Sequence, residues 1–220
     1  MEKIKIYNKQ YSQKEILDIV SSKGIILKDG SRSNVKMVEF NGKRIVVKVP
    51  TEKNRRKWQR FLSLFRKAEA KANLDSMETL RNNGIKTNEP IAVIENRKYG
   101  MVIDSTAIYS YLDGEIAGEK SAESVIIILK KIHKLGFLHG DSQMRNFISE
   151  NNEVAVIDTN LKRKKMFKIS ENMEYIKFAD EVPEAFKYIE KTVSFKIARF
   201  FDDFMRAKRS FRRKMKGIKE

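Results

Sequence analysis

The chain has no cysteine, which excludes a disulfide scaffold and a thiolate-held metal and fits a reducing compartment. It has only two histidines, His133 and His139, and they do not have metal-ligand spacing. No nucleophile-elbow motif supports a Ser-His-Asp hydrolase. Long apolar runs are missing as well: the longest aliphatic stretch, Val125–Leu129, is far too short to span a bilayer. The start, Met1-Glu2-Lys3-Ile4-Lys5-Ile6, alternates charge and has no apolar signal core, so a cytoplasmic protein is expected. Acidic residues are in deficit, 29 against 46 Lys and Arg, for a net charge of +17. Such a field favours nucleotide phosphates, nucleic acid or an anionic membrane face. With 41% apolar residues over 220 positions, the chain can hold one large core or two small lobes.

Periodicity divides the chain into a strand-rich first half and a helix-rich second half. Ser12 to Ser22, apolar at 16, 17, 19 and 20, predicts a short amphipathic helix. Gly24–Leu27, Val35–Phe40 and Arg44–Val49 read as strands. Asn41-Gly42 is a hairpin signal, because both residues tolerate the positive φ of a type I′ turn. Segment 29–34, with its single glycine, reads as a plain hairpin turn. Lys53 to Asn82 reads as one long or broken helix with Phe61, Leu64 and Phe65 as its apolar stripe and Gly84 as its stop. Strands are predicted at Ile91–Ile94, Tyr99–Ile103 and Ala107–Leu112, with a break at Asp113-Gly114 and a helix over Ala122–Lys134. Val154–Ile157 reads as a buried strand, and helices follow from Glu171.

The residues that carry chemistry fall in an ordered series. His139-Gly140-Asp141-Ser142-Gln143-Met144-Arg145-Asn146 sets an Asp and an Asn five positions apart on a loop. The Asp can face an attacking hydroxyl while the Asn turns to a metal ion. Asp158 ends the strand at 154–157, and Lys48 stands inside the β-branched run Ile45-Val46-Val47-Lys48-Val49. A strand Lys, an Asp-x-x-x-x-Asn loop and a strand-end Asp, in that order, form the phosphoryl-transfer set of the protein-kinase fold. The expected fold class is therefore α+β and bilobal. Residues 1–112 would form an antiparallel β-rich N-terminal lobe, and 113–220 a mainly helical C-terminal lobe.

In that set Asp141 is the catalytic base, Asn146 and Asp158 hold Mg²⁺, and Lys48 anchors the phosphates of ATP. The partner expected for Lys48 is a helix carboxylate, Glu69 or Glu78, with Glu69 preferred because it lies on the side of Phe65, Ala68 and Ala72. Taken singly, the same residues have plainer readings: Gly140-Asp141 as a turn, Asn146 as a loop cap, Asp158 as a turn residue, Lys48 as an edge-strand gatekeeper. His139 is expected to support the loop, and His133 to pack or cap. Asp158-Thr159-Asn160 stands where protein kinases carry Asp-Phe-Gly, so the carboxylate is kept without the Phe or the flexible Gly.

Two basic tracts remain. Lys162-Arg163-Lys164-Lys165 is placed to help hold an anionic acceptor. From Lys196 to Lys219 there are ten basic and two acidic residues, with Ile197, Phe200, Phe201, Phe204, Phe211 and Met215 at helical spacing. The first half of that segment is expected to pack its Phe residues into the core, and Arg206 to Lys219 to touch an anionic membrane surface.

Val47-Lys48, Tyr111-Leu112-Asp113-Gly114-Glu115, His139-Gly140-Asp141 to Asn146-Phe147 and Val156-Ile157-Asp158 together resemble small bacterial sugar kinases with a protein-kinase-like fold. The nearest resemblance is to the lipopolysaccharide core heptose(II) kinase family, with Kdo kinases more distant. It runs over nearly the whole chain, including Asn54-Arg55-Arg56-Lys57. It implies phosphorylation of an inner-core heptose with ATP and Mg²⁺ at the cytoplasmic face of the inner membrane. The lipopolysaccharide core oligosaccharide would be the acceptor, and nucleic acid would not be a partner. No Ala-Pro-Glu motif follows Asp158, and only about two dozen residues separate it from Pro183, which leaves little room for a peptide-docking activation segment. The alternatives are a kinase of the same fold acting on protein Ser/Thr or another small molecule, and a non-catalytic basic module that binds nucleic acid or membrane.

Overall fold

Side-chain alternation along one central strand organises the first half of the molecule. The computed structural model describes residues 2–51, 57–150, 153–164 and 168–215. Asn54, Arg55, Arg56, Lys165 and Lys219, named above, lie outside the described residues, as does the predicted helix start at Lys53. Contacts cluster in two units, Met1–Gly114 with Ala155–Asn160, and Glu115–Val154 with Leu161–Glu220. The sequence reading left 155–160 in the second half. They group with the first unit because Val156 bridges to Thr87 and the Thr159 carbonyl accepts the Asn73 amide.

The first unit contains β1 (Glu2–Ile6), α1 (Gln13–Ser21), β2 (Ile25–Asp29), β3 (Ser33–Phe40) and β4 (Lys43–Pro50). It continues with α2 (Lys57–Leu62), α3 (Glu69–Asn82), β5 (Pro90–Lys98) and β6 (Met101–Ser110). The strands form one antiparallel sheet in the order β1-β5-β6-β4-β3-β2. A reciprocal capping box starts α1: Ser12 accepts from the Glu15 amide and Glu15 accepts from the Ser12 amide. Along β4, Ile45 and Val47 pack with Ile16 and Ile19 of α1, while Val46 packs with Ala70, Leu74 and Met77 of α3. Each fully buried Ile or Leu in these clusters contributes about 2 kcal/mol through apolar burial.

Asn41 and Gly42 turn β3 into β4 at φ 50° and 69°, the left-handed pair of a type I′ hairpin. A second such turn, Tyr99 and Gly100 at φ 51° and 78°, joins β5 to β6. The predicted strand Tyr99–Ile103 is corrected accordingly: Tyr99 is a turn residue, and the strands expected at Tyr99–Ile103 and Ala107–Leu112 are one strand, β6. The helix predicted from Lys53 is broken. The Ser63 hydroxyl donates to the Arg60 carbonyl and accepts from the Val102 amide, which diverts the backbone after α2. Phe61, Leu64 and Phe65 are consequently exposed rather than a buried stripe. At the end of α3 the Gly84 amide donates to the Arg81 carbonyl and the Ile85 amide to that of Leu80, a Schellman stop with Gly84 at φ 69°.

The second unit contains β7 (Glu115–Ile116), α4 (Ala122–Lys134), β8 (Phe137–Leu138), β9 (Phe147–Glu150), β10 (Glu153–Val156), β11 (Lys162–Arg163), α5 (Ile169–Ala179) and α6 (Val193–Met215). β10 runs on into the first unit. The helix predicted over Ala122–Lys134 is present at those bounds and buries Val125, Ile126, Leu129 and Ile132. The C-terminal helix differs from expectation. Phe195 and Ala198 are buried, whereas Phe200, Phe201 and Phe204 are exposed, because the face docked on α5 is a different one. No helix among the described residues is long and apolar enough to cross a membrane.

Asp75 on α3 binds the first unit together from several directions. It accepts from Tyr7 Oη at 2.6 Å, Lys67 Nζ at 2.6 Å and Lys5 Nζ at 3.3 Å. Burial pushes its carboxyl up, but these donors and the Lys71 charge outweigh burial and hold it below the ordinary range. An Asp depressed in the folded state stabilises fully above its unfolded pKa of about 3.9, and that contribution disappears as pH falls below it. Asp75→Asn is expected to cost about 2 kcal/mol at neutral pH, with the gap to wild type closing on acidification. Urea unfolding at neutral pH and near pH 3 measures this, and a gap unchanged by pH would contradict it.

Candidate active site

Lys48 lies two positions from Val46 on β4, so the alternation that turns Val46 towards α3 turns Lys48 the same way. β4 is flanked by β3 and β6, so Lys48 is not on an edge strand and the gatekeeper reading does not hold. Its side chain is mostly buried, and its ammonium forms an ion pair with Asp158. A cavity of about 30 Å³ at this point is lined by Lys48, Glu69, Asn73, Asp158 and Asn160 among others. Glu69 therefore borders the Lys48 cavity. Glu78 does not, being nine residues further along α3, about 13 Å.

Asp158 is held from both sides. Before it, the Val156 amide donates to the Lys86 carbonyl at 2.9 Å and the Thr87 hydroxyl donates to the Val156 carbonyl. After it, Asn73 Nδ2 donates to the carbonyl of fully buried Thr159 at 2.6 Å. Asp158 itself stands at φ 50°, a left-handed conformation that Asp tolerates better than most residues and that is found preferentially at functional sites. Its carboxylate reaches Tyr109: burial first, then this charge, pushes the phenol up.

In the second unit the loop 139–146 is organised by a residue that the sequence reading did not single out, Glu174 of α5. Its Oε2 accepts from the His139 amide at 2.9 Å and its Oε1 from the Gly140 amide at 2.6 Å. His133 Nε2 lies 2.9 Å from the same carboxylate, and His133 Nδ1 lies 2.8 Å from the Tyr175 hydroxyl. A carboxylate only accepts, so Nε2 carries a proton and donates it to Glu174. Burial pushes Glu174 up, but His133 and the two amides hold it below the ordinary carboxylate range. The Ser142 hydroxyl donates to the Glu174 carbonyl at 2.8 Å, and the Met144 amide to Glu181 at 2.7 Å.

His139 is fully buried, its ring centroid 5.2 Å from that of Phe147, which in turn meets Phe178 edge-to-face at 5.6 Å. His139 Nδ1 accepts from the Asp141 amide at 3.3 Å, a loop-supporting place like the one expected for it. Asn146 Nδ2 donates to the Asp141 carbonyl at 2.7 Å, which leaves its Oδ1, a hard oxygen donor, for another partner. The half-exposed Asp141 carboxylate is ion-paired with Lys177, also on α5. Burial raises Asp141, but Lys177, Arg145 and Asn146 outweigh burial and keep it below the usual range, so it is an anion at neutral pH. The signal for Glu174 and Lys177 was two charged residues set among the apolar Tyr175, Ile176 and Phe178.

Lys162 and Arg163 of β11 pair with Leu138 and Phe137 of β8, directly before the loop, with both side chains exposed. Lys164 is structural: it bonds Glu171 at 3.0 Å and the His133 carbonyl at 3.2 Å. For Mg²⁺, which takes a few oxygens and keeps waters, an Asp carboxylate and an Asn carbonyl are a fitting donor set. No cluster of three or more His, Cys, Asp or Glu able to hold a metal by itself is present among the described residues.

Glu174→Ala is expected to cost about 3 kcal/mol, since it leaves His133 and two amides without their buried acceptor. Hydrogen exchange at His139 and Gly140 should accelerate while the α4 amides stay protected. Unchanged exchange at those two amides would show that the loop is held by other means.

Comparison with known proteins adds two findings. The family model WaaY, a lipopolysaccharide core biosynthesis protein, matches residues 5–178. The chain is similar to the solved structure of WaaP in complex with acyl carrier protein, at 14% identity and a TM-score of 0.56, over 98% of this chain and 94% of that one. At that identity the likeness shows the fold, and with it the α+β, protein-kinase-like class expected from sequence. A search of the curated proteins finds no match.

Proposed function

We propose that this chain, which belongs to the WaaY family of lipopolysaccharide core biosynthesis proteins, is an ATP-dependent kinase that phosphorylates a heptose of the lipopolysaccharide inner core. The observation that carries the reading is the Asp141 loop: an ionised carboxylate paired with Lys177, on a backbone held by Glu174 and cross-tied by Asn146. The family's place in lipopolysaccharide core biosynthesis, together with the sequence resemblance to heptose kinases, supports the heptose as acceptor.

Asp141 accepts the proton of the acceptor hydroxyl as its oxygen bonds to the γ-phosphorus of ATP. The bond from that phosphorus to the β,γ-bridging oxygen breaks, and ADP leaves. Lys177 holds the carboxylate in place and keeps it ionised. Lys48, with Glu69 at the same cavity, takes the nucleotide phosphates. Asn146 and Asp158 would hold Mg²⁺, which supplies charge neutralisation on the transferring phosphate. The exposed Lys162 and Arg163 attract an anionic acceptor. The protein would work as a peripheral protein at the cytoplasmic face of the inner membrane.

Transfer of labelled γ-phosphate from Mg-ATP to dephosphorylated lipopolysaccharide core is the direct test. Asp141→Asn should lower the rate by ~10²–10⁴-fold with an unchanged melting temperature. Chelation of the divalent cation should abolish transfer, and added Mg²⁺ restore it. Lys48→Met should lower kcat/KM for ATP by roughly 10²-fold. Label on a protein instead of the core would replace the heptose assignment with a protein-kinase one. Transfer by Asp141→Asn at the wild-type rate would remove Asp141 as base.

A further inference from the structure

α6 has two faces, and only one is used among the described residues. The inner face carries buried Phe195 and Ala198 and packs on α5. Ion pairs with Asp180 hold it there, from Arg199 at 2.5 Å and from Arg206, which also pairs with Asp202 within α6. The other face presents Val193, Ile197, Phe200, Phe204, Phe211 and Met215, every one exposed, Phe200 and Phe211 by 68% and 64%. These positions are i, i+4, i+7, i+11, i+18 and i+22. At 100° per residue they form one straight stripe about 33 Å long, widened by Phe201. The inner-face contacts fix the rotation of the helix, so the stripe cannot be turned into the core without breaking them.

We propose that this stripe docks in the plane of an anionic phospholipid surface, with the aromatic and aliphatic side chains at the acyl boundary and the exposed cations that flank it, Lys196, Lys208 and Arg212, on the headgroups. Between Val193 and Met215 the helix carries eight basic residues against two acidic ones, and Arg199 and Arg206 are the two engaged by Asp180 on the inner face. A basic helix with a narrow apolar stripe and low overall hydrophobicity is the form that lies in a membrane interface. Lys208 interrupts the stripe at i+15, and its stem can follow the apolar face while its ammonium reaches the headgroups. The contact thus begins well before the Arg206 expected from sequence. It also sits close to the chemistry. Asp180, which anchors α6, follows Lys177, which holds Asp141, by three residues at the end of α5. Docking would therefore bring the Asp141 loop to a lipid-anchored acceptor. The choice of a membrane as occupant rests partly on the lipopolysaccharide-core reading, but the binding itself needs no catalysis.

The test is co-sedimentation of the full chain with vesicles of phosphatidylethanolamine and phosphatidylglycerol, against pure phosphatidylcholine. Wild type should partition to the anionic vesicles. Phe200→Ser with Phe204→Ser should reduce that partition by ~10-fold or more, with melting temperature and transfer to a soluble core oligosaccharide unchanged. Phe204→Trp should be quenched by brominated acyl chains in anionic vesicles beyond the quenching of the wild-type chain. Equal partition of the double variant, or no partition of wild type, overturns the proposal. Capture of a small acidic protein through the stripe, without vesicle binding, also overturns it and gives the face to a protein partner. Vesicle binding through the stripe in a chain that transfers no phosphate to core supports the docking and removes the kinase reading alone.

Discussion

A buried carboxylate, Glu174, meets two backbone amides of the Asp141 loop and the ring of His133 within one cluster. Burying a charge is unfavourable unless each of its lone pairs finds a donor, and here three donors converge on it. The loop has almost no regular structure of its own. Its conformation is set by this acceptor on one side and by the aromatic cluster of His139, Phe147 and Phe178 on the other.

The same helix extends this control outward. Glu174 holds the loop backbone, Lys177 one turn later holds the Asp141 carboxylate, and Asp180 at the helix end receives Arg199 and Arg206 of α6. Three charged residues at i, i+3 and i+6 thus divide among them the loop, the candidate base and the C-terminal helix. Their alignment follows from helical geometry, which brings every third or fourth residue to one side.

In the first unit the equivalent constraint is the pleat of β4. Val46 and Lys48 share a face, and Val46 belongs to the α3 cluster, so Lys48 is carried to the same side as Glu69 and Asn73. A shift of one residue in the register with β3 or β6 would turn Lys48 towards α1. The fixed pairing of Lys48 with Val35 and Ala107, backed by the type I′ turn at Asn41-Gly42, prevents that. Asp158 arrives on a segment from far along the chain, pinned to Lys86, Thr87 and Asn73, and so is grouped with the first unit.

The sequence by itself determined the α+β class, the helix at Ala122–Lys134, the turn at Asn41-Gly42 and the order of Lys48, Asp141, Asn146 and Asp158. Each of these depends on local periodicity, on turn chemistry or on spacing along the chain. It could not separate an edge lysine from a central one, or Glu69 from Glu78, because strand order and helix facing are settled by distant pairings. Nor did it point to Glu174 and Lys177, whose partners lie more than thirty residues away and become neighbours only when α5 folds back on the loop. The outward Phe stripe of α6 was also a tertiary decision. Helical spacing makes a stripe, but the burial of Phe195 and Ala198 and the pairing of Arg199 and Arg206 with Asp180 choose which side of the helix meets the protein and which meets the solvent.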